Sequence, residues 1–429
     1  MSLFNKKAHQ DDQIDRISDL PSNVIDGILE NLDIRDLVRT SILSTKWRYL
    51  WTSVPRLEFD IDFFFSLQYI DNPLGPVVSK IITDVLILHN GPISKFCLFI
   101  PSGFDFKITV EQFDMWVPLL SRRGIKQLKL LDFKTALSHL PYIVFSCKEL
   151  TEFTLGGHNL SIPPNFSGFK RLLNLNLYSV TFESSALESL ISGCPLLEKL
   201  SIEGCVGFEY FHISAPTLKV LVLEFDENVK SICLKKAKNL IDLTLIAMDR
   251  WVSGLIKSLP KNMQRFSISS NDLDNKILYP DFIPLRLLES SFNSITYLKL
   301  DGVNFNEREL LYIVSILKNA PHLVEFVTES DSNVDHITQA RVCSEELECS
   351  NCCLNRLETV NIVVEFSSHH AMSLIRFILA NSTSLKTLTF TVGFVFQKLD
   401  APLLASISQK LLWMERASPR AQVKLLTSL

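Results

Sequence analysis

The sequence has no excess of charge of either sign. Its 429 residues contain 43 Lys and Arg against 47 Asp and Glu, a formal net charge of −4. Nucleic-acid-binding domains normally carry a basic face, so this balance argues against a nucleic-acid partner. Glycine is scarce at 14 residues, and 47% of the chain is hydrophobic. This composition excludes extended disorder and provides for a large core in more than one domain.

Long apolar segments are also missing. The first residues, MSLFNKKAHQDDQ, lack the apolar stretch of a signal peptide. The longest apolar run, Glu309–Leu317, is too short to cross a bilayer and begins with a charge. We therefore expect no membrane partner and a location in the cytoplasm, the nucleus or both.

Cysteine spacing does not fit a disulfide scaffold. The nine cysteines are odd in number and spread along a long chain, which indicates reduced thiols. Four of them, Cys343, Cys349, Cys352 and Cys353, lie within eleven residues. Zinc binding is one interpretation of this cluster, but two clean C-x2-C pairs are absent. A loop with reduced thiols is the interpretation we favour.

Motifs for catalysis and cofactor binding are absent from the sequence. It contains no G-x-S-x-G, H-E-x-x-H or Walker pattern. The His369-His370 pair lacks a further ligand at suitable spacing, so we interpret it as the start of a helix. The sequence has no cluster of basic residues that would indicate binding of an inositol phosphate cofactor. The sequence therefore predicts neither a cofactor nor an enzyme.

Residues 14–55 predict three short helices. Pro21 suits the first turn of a helix, because its missing N–H would be unpaired there. Asp33 is the expected N-cap of the second helix. The third is expected to start at Ser44 and to place Trp47 and Trp51 on one face.

This segment has more large apolar residues than three short helices can bury. They are Leu20, Val24, Ile25, Ile28, Leu29, Leu32, Ile34, Leu37, Val38, Ile42, Leu43, Trp47, Leu50 and Trp51. The surplus must be covered either by the rest of this chain or by another protein.

The segment DRISDLPSNVIDGILENLDIRDLVRTSILSTKWRYLW resembles the F-box of plant F-box proteins. That resemblance implies binding to a Skp-family adaptor and, through it, to the cullin of an SCF (Skp–cullin–F-box) ubiquitin ligase. The resemblance places seven residues at or near the adaptor face, and some of these would be core between the helices instead. By this resemblance the candidates for adaptor binding are Leu20, Pro21, Ile25, Ile28, Leu29, Leu43 and Trp47.

The middle of the chain contains a repeat of the form apolar-x-x-apolar-x-apolar. From Leu150 to Met263 the copies follow each other at steps of 22, 25, 21, 22 and 23 residues, the period of a leucine-rich repeat. The copies begin at Ile93, Ile125, Leu150, Leu172, Leu197, Leu218, Leu240, Met263, Ile295, Leu323, Leu357 and Leu385.

Each copy predicts a short strand whose last two apolar residues face one side. Helical stretches precede several of the strands, and Gly193 and Asn319 are expected to end two of them. Stacked units would form a parallel sheet with outer helices, an α/β solenoid over residues 75–340.

The residue between the last two apolar positions should point to the open face of the sheet. This row is Cys97, Lys129, Thr154, Asn176, Ser201, Val222, Thr244, Ser267, Lys299, Val327, Asn361 and Thr389. It contains no run of acidic or basic side chains to steer a charged partner. A plain solvated face is one interpretation. A face that binds a protein substrate is the other, with Lys129, Asn176, Ser201, Thr244 and Lys299 as its candidates.

Residues 345–425 resemble the FBD domain, through RFILANS, the following strand and RASPRA. This domain ends many plant F-box/leucine-rich-repeat proteins, and we expect it to continue or cap the solenoid. The fold class is therefore α/β, with an N-terminal three-helix F-box. The expected function is substrate recognition in an SCF-type ligase, and the alternative is a protein-binding scaffold outside such a ligase.

Overall fold

The computed structural model divides the chain into two compact units. The first comprises Met1–Ala136 and Pro141–Leu150, and the second Leu137–Leu140 and Thr151–Leu429. The structure describes residues 17–67, 74–104, 108–133, 138–183, 185–225, 229–247, 255, 258–269, 292–303, 305–330, 354–364, 369–393 and 401–427. Among these, no helix has the length and apolarity that a bilayer span needs.

The first unit opens with the N-terminal helical segment, residues 22–53. It contains α1 (Ser22–Glu30), α2 (Ile34–Arg39) and 3₁₀ helices at Thr40–Ile42 and Trp47–Ser53. The Asp33 carboxylate accepts a hydrogen bond of 2.8 Å from the Asp36 N–H, so the predicted N-cap is confirmed. The third predicted helix starts at Trp47 rather than Ser44, and it is a 3₁₀ helix.

Three parallel strands follow in the first unit. They pair in the order β1, β2, β3, and helices lie between them in the chain. A capping box between Thr109 and Gln112 starts the last of these helices. The elements are β1 (Arg56–Phe59), α3 (Ile61–Leu67), α4 (Leu74–Leu88), β2 (Lys95–Ile100), α5 (Val110–Arg122), β3 (Gln127–Asp132) and a 3₁₀ helix (Tyr142–Ser146).

The second unit contains most of the strands. They are β4 (Ser138–His139), β5 (Glu152–Gly156), β6 (His158–Leu160), β7 (Asn174–Tyr178), β8 (Thr181–Phe182), β9 (Lys199–Glu203), β10 (Tyr210–His212), β11 (Val220–Phe225), β12 (Ser231–Cys233), β13 (Asp242–Ala247), β14 (Arg265–Ser269), β15 (Tyr297–Val303), β16 (Glu325–Ser330), β17 (Thr359–Val364), β18 (Thr387–Val392) and β19 (Gln422–Thr427).

The main sheet of this unit is parallel, in the order β5-β7-β9-β11-β13-β14-β15-β16-β17-β18-β19. Two small parallel sheets, β4-β6-β8 and β10-β12, accompany it. The predicted strands of the regular repeat are thus confirmed as neighbours. The order follows the chain because each repeat supplies one strand and pairs with the next repeat.

The predicted apolar pairs of these strands form the core. Leu175 and Leu177 of β7 are fully buried, as are Leu200 and Ile202 of β9. Burial of one such side chain contributes roughly 1.5–3 kcal/mol. The alternation of a strand therefore places two large apolar groups per repeat in the interior and leaves the residue between them on the opposite face.

Four helices are described in the second unit: α6 (Ala186–Ser192), α7 (Glu307–Lys318), α8 (His369–Asn381) and α9 (Ala401–Leu412). Gly193 and Asn319 are C-caps, which confirms the two predicted helix ends. His369 and His370 begin α8, also as predicted. Helix α9 and strand β19 were not predicted individually, although they lie inside the stretch that resembles the FBD domain.

Candidate functional site

The N-terminal helical segment presents large apolar side chains to solvent. Their exposed fractions are 41% for Val24, 37% for Ile28, 83% for Ile42, 54% for Leu43 and 67% for Tyr49. We call these five residues the N-terminal apolar surface. The described residues of the first unit therefore leave part of this excess of large apolar side chains uncovered. The N-terminal apolar surface is therefore the candidate site for a protein partner.

The seven residues predicted to bind an adaptor fall into two groups. Ile25, Leu29 and Trp47 are 4%, 2% and 1% exposed, so they form the interior of the segment. They hold the helices in place and present almost no surface of their own. The other four reach solvent to different extents, and they are Leu20, Pro21, Ile28 and Leu43.

Three members of the surface were not among these candidates. The sequence marks Val24 and Ile42 only as apolar residues of the segment, and it does not distinguish Tyr49. Helical periodicity could identify part of this surface. Val24 and Ile28 lie four residues apart on α1, so they share a stripe beside the buried residues Ile25 and Leu29. Which stripe faces inward depends on the neighbouring helices.

A turn after α4 contacts the end of the N-terminal helical segment within the first unit. The Thr52 carbonyl accepts hydrogen bonds from the backbone N–H of Asn90 (2.9 Å) and Gly91 (3.2 Å). His89 Nε2 donates to the Val54 carbonyl at 2.8 Å. A Cβ on Gly91 would lie 2.8 Å from the Ser53 Cα, so this approach requires glycine. These contacts join the segment that carries the N-terminal apolar surface to the turn after α4.

His89 should make this joint sensitive to acid. Burial lowers the pKa of the His89 imidazole, and the Arg123 charge acts in the same direction, against the hydrogen bond to Val54. An unfolded histidine takes up a proton near pH 6.5. The unfolded chain therefore binds more protons just below that pH, and the free energy of unfolding falls as the pH drops. We expect His89→Gln to lose less stability than the wild type between pH 7.5 and pH 5.5 in urea titrations. An identical loss in both proteins would contradict this assignment.

The row predicted on the open face of the sheet is in register. In the second unit Thr154 pairs with Asn176, Asn176 with Ser201, and Ser201 with Val222. The same register continues through Thr244, Ser267, Lys299, Val327, Asn361 and Thr389 to Lys424. We call this side the solvent face. In the first unit, Lys129 pairs with Cys97 in the equivalent position.

The five substrate-face candidates differ in accessibility. Lys129 is exposed, and Asn176, Thr244 and Lys299 are half-buried. Ser201 is only 3% exposed, and its hydroxyl donates to the Glu203 carboxylate. Its small side chain lies between larger neighbours on β7 and β11, so it offers a partner little surface.

Acidic side chains align on the solvent face, two positions after the predicted row. Glu203 pairs with Glu224 on adjacent strands, and Asp301 pairs with Glu329. Lys299 Nζ lies 2.5 Å from the Asp301 carboxylate, and this hydrogen bond raises the pKa of the Lys299 ammonium. The sequence did not predict this alignment, because the acidic residues lie on different repeats and become neighbours only when the strands pair.

Reactive groups are few among the described residues. Burial raises the pKa of the Cys97 and Cys194 thiols to about 11, and that of Cys147 and Cys205 to about 12. Such thiols are poor nucleophiles at neutral pH. Within the described ranges no three His, Cys, Asp or Glu side chains are arranged to hold a metal. The cluster Cys343, Cys349, Cys352 and Cys353 lies outside them.

Three family models match successive parts of the chain. The F-box domain model matches residues 17–59, which include the N-terminal apolar surface. The model of the leucine-rich repeats of FBD-associated F-box protein At5g56370 matches residues 113–255, and the FBD model matches residues 349–390.

Relatives that match this chain over almost their whole length are named after the same three parts: F-box, FBD and leucine-rich repeats (LRR). F-box/FBD/LRR-repeat protein At1g13570 of Arabidopsis thaliana is 32% identical over 95% of this chain and 98% of its own length. Putative F-box/FBD/LRR-repeat protein At5g62970 of the same plant is 25% identical over 95% and 98%. Among solved structures, an internalin of Listeria monocytogenes covers 85% of this chain and 99% of its own, at 14% identity and a TM-score of 0.32, too low to carry information about function.

Proposed function

Because the chain belongs to the F-box/FBD/LRR-repeat family, we propose that it is the substrate-recognition subunit of an SCF-type ubiquitin ligase. Its N-terminal apolar surface would bind a Skp-family adaptor and, through it, a cullin. The repeats and the FBD region would bind the protein to be ubiquitinated. The expected place of action is the cytoplasm, the nucleus or both.

The observation that carries this proposal is the exposure of Ile42, Leu43 and Tyr49 on a segment that matches the F-box model. Residues this apolar are costly to leave in water on a compact helical segment. An adaptor that covers them recovers that free energy. The buried residues Ile25, Leu29 and Trp47 keep the surface in shape for it.

The chain itself would then catalyse no bond formation. It would hold a substrate near an activated ubiquitin carried by another subunit, and so raise the effective concentration of substrate lysines there. The joint between Thr52 and Gly91 suits this role, because a loosely held surface would lose part of that gain.

The direct test is co-purification with a Skp-family adaptor. Ile28→Asp plus Leu43→Asp places charges on the N-terminal apolar surface and leaves the buried residues Ile25, Leu29 and Trp47 unchanged. Burying those carboxylates against an apolar partner is unfavourable by several kcal/mol, so adaptor affinity should fall at least a hundredfold. Leu29→Asp is unsuitable for this test, because Leu29 is 2% exposed and its replacement would unfold the segment.

The matched control is Val110→Asp plus Met115→Asp. These residues of α5 are 57% and 40% exposed but lie outside the N-terminal helical segment. The control should retain the adaptor fully, and both double variants should unfold at the wild-type urea midpoint. Equal adaptor recovery by all three proteins would defeat the proposal.

A second measurement separates a ligase subunit from a scaffold. The wild type should co-precipitate a cullin in cells, and the Ile28→Asp, Leu43→Asp variant should not. Under proteasome inhibition the variant should still retain substrates through its repeats. Adaptor binding without cullin recovery, together with unchanged substrate half-lives after deletion of the gene, would favour the scaffold.

A further inference from the structure

Strand β19 is an edge of the main sheet in the second unit. Among the described residues it pairs with β18 alone. The Gln422 N–H donates to the Lys386 carbonyl at 2.9 Å, so it points towards β18. Backbone groups of a strand alternate in direction, which turns those of Val423, Leu425 and Thr427 away from β18. They form a row of donors and acceptors ready for another strand.

Buried side chains form rows that run across the sheet from strand to strand, and we call these rows the core columns. The core columns are incomplete at β19. Leu388 and Phe390 of β18 are fully buried, but their register partners Val423 and Leu425 are only half-buried. The core residues of an edge strand in this fold can be fully buried, as β1 of the first unit demonstrates. There Leu57 of β1 is 0% exposed, and the Arg56 guanidinium donates to the Glu30 carbonyl of the N-terminal helical segment. No described element covers β19 in this way.

Large apolar side chains are exposed on α9 and β19 themselves. Leu412 and Trp413, at and just after the end of α9, are 74% and 82% exposed, and Leu426 of β19 is 49% exposed. Solenoid ends that stay in water normally have a polar outer side. Exposed tryptophan is typical of protein-binding surfaces.

The charges around this edge are mostly positive. Exposed cationic side chains outnumber the acidic one, Glu415, in residues 410–427. Two copies of this edge would bring like charges together, which disfavours self-association and favours an acidic partner. The cations are Lys410, Arg416, Arg420 and Lys424.

We propose that β19 binds an extended acidic segment of a partner protein as one more strand of the sheet. The pattern that fits is apolar–acidic–apolar. The two apolar residues would continue the columns that end in Val423 and Leu425, and the acidic residue would lie beside Lys424 on the solvent face. Main-chain hydrogen bonds would supply affinity, and these alternating side chains selectivity. This site shares no residue with the N-terminal apolar surface, and the proposal does not depend on adaptor binding.

Fluorescence polarisation with the full chain tests the proposal. One probe is a labelled nonapeptide with alternating valine and glutamate, and the other has lysine in place of each glutamate. We expect the glutamate probe to bind at least tenfold more tightly, and Lys424→Glu to weaken it about tenfold. Leu425→Pro removes an outward N–H and should weaken it at least as much. Lys170→Glu, an exposed charge reversal on another part of the unit, is the control and should leave binding unchanged.

Several results would overturn the proposal. They are equal binding of the two probes, no binding of either, or full binding by Leu425→Pro. A dimer in sedimentation velocity that Leu425→Pro dissociates would assign the edge to a second copy instead. If Leu425→Pro does not fold, Thr427→Pro replaces it, because its N–H also points outward and its side chain is exposed.

Discussion

Trp47→Ala is expected to abolish adaptor binding, although Trp47 is 1% exposed. Removing a fully buried tryptophan leaves a cavity and typically lowers the free energy of unfolding by about 3–5 kcal/mol. The N-terminal helical segment is small, so a loss of this size should unfold it. Its amide hydrogens should then exchange rapidly, while those of the second unit stay protected. Hydrogen exchange read by mass spectrometry, alongside adaptor co-purification, measures both effects.

Ile42→Ala is the matched control for this prediction. Ile42 is 83% exposed, so its truncation should change stability by less than about 0.5 kcal/mol. If it contacts the adaptor, affinity should fall while exchange protection stays at the wild-type level. The two variants thus separate a residue that shapes the surface from one that belongs to it. Wild-type protection in Trp47→Ala would refute the assignment of Trp47 to the interior.

Gly168→Ala should destabilise the second unit by about 2–6 kcal/mol. Gly168 has φ +92°, a conformation that costs other residues about 1–3 kcal/mol. An added Cβ would also overlap the Gly193 carbonyl oxygen, so the turn before β7 would have to move away from the end of α6. Overpacking of this kind adds about 1–3 kcal/mol. Urea titration should show a lower midpoint with an unchanged slope.

Gly27→Ala is the informative comparison, because it makes the same chemical change where space is open. Gly27 lies inside α1, and a Cβ added to it would meet nothing within 4 Å. Alanine there should stabilise the helix by up to about 1 kcal/mol. The free energy of unfolding should therefore fall in Gly168→Ala and rise in Gly27→Ala, and this result would confirm the distinction between the two sites. A Gly168→Ala protein with a stability within about 1 kcal/mol of the wild type would contradict it.

The repeat architecture could be predicted because its signal is local. Alternation along a strand places residues such as Leu175 and Leu177 on one side and Asn176 on the other, whatever the neighbours are. A step of 21–25 residues then returns the chain to the next strand in the same register. Helix ends at Gly193 and Asn319 also followed from residues within one turn of the end.

The exposure and the neighbours of individual surface residues were predicted less completely than the repeat. Ile28 and Leu43 reach solvent, whereas Leu29 and Trp47 are buried between the helices. All four are apolar and close in sequence, so composition and spacing cannot separate them. The acidic pair Glu203 and Glu224 was likewise missed, because its members lie on different repeats and meet only once the strands align.

The amino-acid sequence by itself determined a repeating parallel sheet, the row of residues on its solvent face and the excess of apolar residues at the N-terminal end. The first two depend on the alternation of residues along each strand, and the third depends on the composition of one short segment. Only the tertiary structure decided which of those apolar residues stay exposed, which charges become neighbours and that β19 lies at an edge with its core columns incomplete. Those outcomes depend on which surfaces the packed helices and strands cover, and that coverage is set by contacts between residues far apart in the chain.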